Sequence, residues 1–434
     1  MKKVLWLIVI LFLMTSSVFA GKTSFYTMEN GMKVILKENH AAPLVSSVII
    51  VNAGSKFEND HNNGFTHLLE HMLFNGTETK TREDINEGIK DFGGYINAFT
   101  RQEMTGYLVV MPKEFIENGL DIQSDQLFNS ILPAEMFPKE RDIVVEEIKK
   151  DNDVDSYVAN DYFNAMKFAG TPYSRPVIGF EEAIKAVTRE EVMEYYKKYY
   201  VPNNMTAFIS GDFEASEMKK LLEKYYGSVP AGEMPELAEF SIEPPYNEKV
   251  NIKKFPSRVT MVDISIPGPL WSDPGYFAFD VLSQYLDSDA SPLSKALIDF
   301  DPSLATNVSV GIELQKEFTM LNISVETNNP ENVNAIVKKA TSVLKEMTNT
   351  EFTEADIRRV VVPNKVYEIK LEEKLHYYGI MKAPYLATCG YDFLANYPDN
   401  LSKITPADIV KSANDYFADI QYVASALVST KGVK

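Results

Sequence analysis

GFTHLLEHMLFNGT, Gly64 to Thr77, holds two of the chain's five histidines four residues apart, with Glu70 directly before the second. Residues i and i+4 of an α-helix share a face and lie about 6 Å apart along the axis. A helix here therefore lets His67 and His71 direct imidazole nitrogens at one ion, with Glu70 beside them, close enough to handle a proton there without occupying the ion. The apolar spacing predicts that this helix starts near Gly64 and stops at Asn75-Gly76, a C-terminal signal. The order of the motif, H-x-x-E-H, reverses the commoner H-E-x-x-H and keeps its logic.

A catalytic zinc site needs a third protein ligand and an open position. PKERDIVVEEIKK, from Pro138 to Lys150, predicts a helix with proline at its start and lysines at its end. It offers Glu140, Glu146 and Glu147. Glu140 and Glu147 are seven apart and share a face, so one can bind metal while the other supports it. His40 and His61 fall in polar loop stretches and His376 in a charged helical one, which reads as solvation.

Around the motif, KVILKEN and VSSVIIVNA (Val45 to Ala53) read as strands with HAAP turning between them. GGYINAFTRQEMTGYLVVM reads as a hairpin or strand pair after a Gly-Gly turn. VTREEVMEYYKKYYVPNNMTAFISG, from Val187, and ITPADIVKSANDYFADIQYVASALVS, from Ile404, match in capping box, aromatic-rich helix and closing strand. Similar closing elements at the ends of two halves point to an internal duplication. PAGEMPELAEFSIEPPYNEK, residues 230–249, is rich in proline and glutamate and reads as the linker. This gives residues 21–229 as the metal-bearing domain and 250–434 as the repeat without the metal motif.

Residues 1–20 carry Lys2 and Lys3, an apolar run from Val4 to Met14, and Val18 and Ala20 at the small-residue positions of a cleavage site. This is the pattern of a cleaved secretory signal, which places the mature chain in the periplasm or outside the cell; no later segment is a span candidate. A single cysteine, Cys389, excludes an intramolecular disulfide and reads as a small buried residue. A formal charge of -18 argues against non-specific nucleic-acid binding.

GFTHLLEHMLFNGT, GGYINAFTRQEMTGY, FPKERDIVVEEIKKD, PYSRPVIGFEEAIKAVTREEVMEYYKKYYVPNNM and the duplicated second half together resemble the pitrilysin superfamily of zinc metallopeptidases. Within it, they resemble the mitochondrial processing peptidase branch and its bacterial relatives of one-half length. The resemblance implies an α+β fold of two homologous domains, each a mainly antiparallel sheet backed by helices, forming one half of a clam shell. It implies one Zn2+ per chain on His67, His71 and Glu147, with Glu146 the next candidate for third ligand, Glu70 as general base and Glu140 supporting the site. Asn97, Ala98 and Thr100 match an N-A-x-T edge strand that pairs with extended substrate, and Phe74 an apolar residue lining the pocket beyond the scissile bond; ordinary helix core is the alternative for Phe74.

The second half departs from the catalytic pattern. FAFDVLSQYL, Phe277 to Leu286, takes the place of the histidine helix without a histidine. Where self-sufficient members carry an arginine and a tyrosine, this chain has Ile298 and Thr306. The expectation is the zinc-bearing subunit of a two-chain endopeptidase acting on short or unfolded peptides, completed by a same-fold partner that carries the arginine-tyrosine pair; a homodimer is the other arrangement. Asp151, Asp153, Asp155 and Asp161 read either as a preference for basic substrate residues or as a solvated helix end. A non-catalytic structural or peptide-binding subunit of the same fold is the alternative function. An extracytoplasmic solute-binding protein fits the leader and the two domains but leaves the metal motif without a use.

Overall fold

The computed structural model of the chain describes residues 23–234, 240, 242, 246, 249–299 and 302–431, without the side chains of 376 and 377. The leader read at residues 1–20, most of the linker read at 230–249 and the side chain of His376 lie outside the described residues.

The first half opens with strands β1 (Thr23–Thr27), β2 (Lys33–Glu38) and β3 (Leu44–Val51), then helices α1 (Phe65–Leu73) and α2 (Arg82–Lys90). The hairpin β4 (Tyr95–Thr100) and β5 (Thr105–Pro112) follows, then α3 (Ile116–Phe128), α4 (Phe137–Asp151), α5 (Asp155–Lys167), α6 (Glu181–Ala186) and α7 (Arg189–Tyr199). β6 (Met205–Gly211) and α8 (Ala215–Tyr226) close it. The second half runs β7 (Asn251–Phe255), β8 (Thr260–Pro267), α9 (Tyr276–Leu286), α10 (Pro292–Leu297), β9 (Asn307–Leu314) and β10 (Thr319–Thr327). It ends with α11 (Val333–Met347), α12 (Glu354–Glu372), α13 (Leu375–Thr388), α14 (Tyr391–Leu401), α15 (Pro406–Phe417) and β11 (Val423–Ser429).

Strand order is β1-β2-β6-β3-β5-β4 in the first sheet and β7-β11-β8-β10-β9 in the second. Strip β1 and the two orders coincide strand for strand. The one parallel pair of each sheet, β2 with β6 and β7 with β11, falls at the same place, and every other pairing is antiparallel. The duplication expected from Val187 and Ile404 is visible in the caps as well. Thr188 and Glu191 form a reciprocal capping box on α7, and Thr405 and Asp408 form one on α15.

Helices α1, α3, α4, α7 and α8 cover one face of the first sheet, where Leu68, Leu69 and Met72 meet Ile49, Tyr107, Val109 and Met111. Its other face is apolar too. Val48, Ile50, Leu108 and Phe208 pack there against Leu371, Tyr378 and Leu386, the last two from α13. Packing on both faces explains why β3 is buried without interruption from Val45 to Val51, Ser46 and Ser47 included, with only Leu44 exposed. The exchange is mutual, since α5 of the first half lies on the second sheet through Val158 and Ala159 against Leu427. That contact differs in kind: beside it, Asp263, Asn322, Glu313, Asn160, Asn164 and Lys167 surround a polar cavity of about 320 Å3.

The two hairpin tips meet between the sheets. The backbone N–H of Lys316 donates to Glu103 Oε1 at 3.0 Å. Lys56 Nζ, buried at 3% exposure, donates to Glu317 at 2.6 Å and to Glu103 at 3.3 Å.

Candidate metal centre

Helix α1 is seated by groups other than the three that could hold a metal. Gly64 caps it with φ +97°, and a Cβ there would stand 2.7 Å from the Ile178 carbonyl and 2.8 Å from the Gly179 Cα, so a side chain is excluded by both backbone and space. The buried Glu58 carboxylate accepts the N–H groups of Gly64 at 2.8 Å and Thr66 at 2.7 Å, and the Thr66 hydroxyl at 2.6 Å. It satisfies orphan donors of the first turn and sets a negative group at the positive end of the helix. With Leu68, Leu69, Met72 and Leu73 all fully buried on one face, His67, Glu70 and His71 are left on the other, half-buried.

Helix α4 brings the third group. One ligand atom each from His67, His71 and Glu147 lies within 4.8 Å of the other two. His71 Nε2 stands 3.6 Å from Glu147 Oε2, while its Nδ1 stands 3.4 Å from Glu140 Oε2. Glu140 thereby fixes the tautomer and the ring plane, leaving Nε2 turned to the shared space. Arg82 in turn donates to Glu140 at 3.0 Å and to the Asn75 side-chain oxygen at 2.7 Å. Glu146, the neighbouring candidate, is exposed and pairs with Lys149 at 2.6 Å. One residue along the helix separates a surface ion pair from the group that faces His71.

The electrostatics suit a cation. Burial, helped by the charge of His71, pushes His67 down to about 3, so its imidazole is neutral and can donate a lone pair. Its Nδ1 is buried with no hydrogen-bond partner among the described residues. Burial lowers His71 also, but the bond to Glu140 and the charges of Glu147, Glu70 and Glu140 outweigh it and raise it. Burial lifts Glu140, yet the hydrogen bonds from His71 and Asn75 and the charges of His71 and Arg82 hold it below the ordinary carboxylate range. Two imidazoles and a carboxylate, with an orphaned ring nitrogen among them, fit a divalent transition metal such as zinc.

Glu70 is set apart from this trio. The Thr100 hydroxyl donates to its Oε2 at 2.5 Å. Burial raises its pKa, and Glu147 adds to the rise, against the Thr100 bond and the His71 charge. Such a carboxylate is a stronger base than an exposed one.

Of the residues expected to touch substrate, Phe74, Asn97 and Ala98 line a cavity of about 280 Å3 together with Glu70 and His71. Phe74 also packs on the core. Strand β4 is the sheet's edge. The turn bond from Arg101 N–H to the Met104 carbonyl, 2.8 Å, sets the alternation of the ladder: Ile96, Ala98 and Thr100 turn their backbone groups away from β5. The backbone N–H of Thr100 is used on Glu70, which agrees with that register. Thr100 thus holds the candidate base, a contact that the edge-strand expectation did not contain.

Arg82, Asn75 and Glu58 were not legible in the sequence. Arg82 and Glu140 lie 58 residues apart, and only folding joins them. At and beyond the end of α4, Asp155 accepts the Arg258 N–H at 2.7 Å, and Asp161, pushed up to about 6 by burial and by Asp151, lies near Lys253. His40 and His61 are exposed and pair with Asp212 and Glu191. Cys389 is buried, which pushes its thiol up to about 12. Ile298 packs against the second core, and Thr306 is exposed and bonded to the Glu326 carbonyl.

Residues 33–181 match the family described as Insulinase (Peptidase family M16), and residues 186–361 that described as Peptidase M16 inactive domain. The chain belongs to the M16 peptidase family. It is 28% identical over 271 residues to a probable mitochondrial-processing peptidase subunit beta of Arabidopsis thaliana, covering 62% of this chain and 51% of that one. It is 31% identical over 206 residues to the uncharacterized zinc protease YmxG of Bacillus subtilis, covering 48% and 50%. The chain thus spans about half the length of the curated relatives it matches. A protease from Helicobacter pylori shares the fold at a TM-score of 0.85 and 21% identity, over 94% of this chain and all of that one. A peptidase M16 inactive domain from Pseudomonas fluorescens does so at 0.81 and 17%, over 95% of this chain and all of that one.

Proposed function

We propose that this chain is a zinc-dependent endopeptidase that cuts short or unfolded peptides outside the cytoplasm. The observation that carries it is the convergence of His67, His71 and Glu147 with Glu70 held beside them. Zinc, when bound, would lower the pKa of water and polarise a scissile carbonyl. Glu70 takes a proton from the attacking water and returns it to the departing amine, a role for which its raised pKa prepares it. The Arg82–Glu140–His71 chain keeps one imidazole in register. The outward backbone groups of Ala98 grip an extended peptide by strand addition, in reach of the cavity floor.

The reading includes a partner. Ile298 and Thr306 supply neither a guanidinium nor a phenol for the developing oxyanion, so a same-fold subunit bearing both would complete the site. Relatives named as beta subunits support the heterodimer over the homodimer. Export by residues 1–20 belongs to the same reading, and no helix among the described residues is long and apolar enough to cross a membrane. The same substitutions, with a second half matching an inactive domain, favour the alternative of a non-catalytic subunit. Elemental analysis of the purified chain decides between them: about one zinc, lost in Glu147→Ala and kept in Glu146→Ala, is expected. A wild type without zinc after metal-replete purification sinks the peptidase.

A further inference from the structure

The second half has a cavity where the first half has its metal site. Aligning the buried Leu68, Leu69 and Leu73 of α1 with the buried Val281, Leu282 and Leu286 of α9 puts Asp280 where His67 stands, Ser283 at Glu70 and Gln284 at His71. The partner helix repeats too. His71 faces Glu147 of α4, and Gln284 accepts a hydrogen bond from Asn364 of α12. Between α9, α12, α13, α14 and the edge strand β9 lies a cavity of about 230 Å3.

Its lining has been remade. Tyr276, Tyr367, Tyr385 and Tyr397 supply four aromatic rings, and Asp280 lies among them. Among the described residues the Asp280 carboxylate, 6% exposed, is met only by neutral donors: Tyr397 Oη and the Gln284 amide, the latter at 2.9 Å. No cation pairs with it among the described residues. The nearby Lys382 is taken by Glu368 at 2.5 Å, so the pair closes on itself and leaves Asp280 as the acidic group without a cationic partner among the described residues. Burial pushes the Asp280 carboxyl up, as it must where no positive group offsets desolvation. Burial and then Asp280 push Tyr385 up to about 12, and Tyr276 and Tyr397 further, so the rings stay neutral and keep their electron-rich faces.

We propose that this cavity binds an organic cation, the ammonium of a lysine side chain or of a small amine, against Asp280 and the tyrosine rings. Aromatic faces around one buried carboxylate are the chemistry that recognises ammonium and rejects its neutral isostere. The chain's charge of -18 adds a long-range attraction. The site is separate from the metal centre and does not depend on the reading of it.

Isothermal titration of the full chain tests this, with pentane-1,5-diamine, a blocked lysine tripeptide and 1-pentanol as titrants. Saturable binding of an amine and none of pentanol is expected, weakened tenfold or more in both Asp280→Asn and Tyr367→Ala and unchanged in His71→Ala. Tyr367 is 49% exposed, so its variant tests the site without disturbing the core. Binding of the diamine alone marks a free amine as the ligand; tighter binding of the tripeptide marks a substrate side chain. The proposal is overturned if neither amine binds at millimolar concentration or if pentanol binds equally. Binding unaffected in both cavity variants, or lost in His71→Ala, also overturns it.

Discussion

The two halves share a strand order and differ in what they do with it. At the pair Val48 with Leu108 the first sheet presents apolar side chains to α13; at the matching pair Ser265 with Asn322 the second presents polar ones to α5. On the helix-covered faces both are apolar, and there the two halves are interchangeable in kind. The same division runs through the sites. The inward residues of α1 and α9 are alike, whereas the outward ones are His67, Glu70 and His71 in one and Asp280, Ser283 and Gln284 in the other. Burial common to both repeats holds the fold, and chemistry is free to change wherever a face looks into a cavity.

The comparison can be broken first at the base. Glu70→Gln should lower peptide hydrolysis by about 10^2- to 10^4-fold with zinc content unchanged, measured on a quenched-fluorescent peptide. If activity and metal fall together, Glu70 belongs with the ligands and the separation from the trio fails. A smaller effect, on folding, comes from making the first sheet resemble the second. Leu108→Asn should destabilise by about 2–4 kcal/mol in urea unfolding, because the amide is buried without a partner beneath α13. Asn322→Leu, facing a cavity that already holds polar groups, should change stability far less. Equal losses in the two would show that α5 and α13 bury their sheets alike. Arg82→Ala releases Glu140 and should weaken zinc binding by about 10- to 100-fold, read by competition with a chromogenic chelator. Thr188→Ala and Thr405→Ala remove the same cap from each repeat and should each lower stability by about 1 kcal/mol, a matched pair that reports whether the repeats weigh equally in the fold.

Much of this was legible in the chain. His67, Glu70 and His71 declare themselves because three residues on one helical face need no tertiary information to be neighbours. The halves declare themselves through Thr188 and Thr405, whose capping boxes are local. Glu140, Glu146 and Glu147 could not be separated by spacing alone. Adjacent helix positions point about 100° apart, and which of them meets His71 depends on how α4 rolls against α1. Arg82, Asn75 and Glu58 escaped for a related reason, since each reaches its partner through space from a loop or a neighbouring helix. The second cavity gave no signal, because tyrosine, asparagine and glutamine scattered over α9 and α12–α14 read as ordinary helix surface until the repeats are superposed.

The exchange of α5 and α13 between the halves bears on how the polypeptide comes into being. Val48, Ile50, Leu108 and Phe208 are all made well before the helix that shields them, Leu375–Thr388. Until then the nascent first sheet carries a bare greasy face, and a truncated first half keeps it for good. A chaperone, or a second unfinished copy, would find that surface before α13 does.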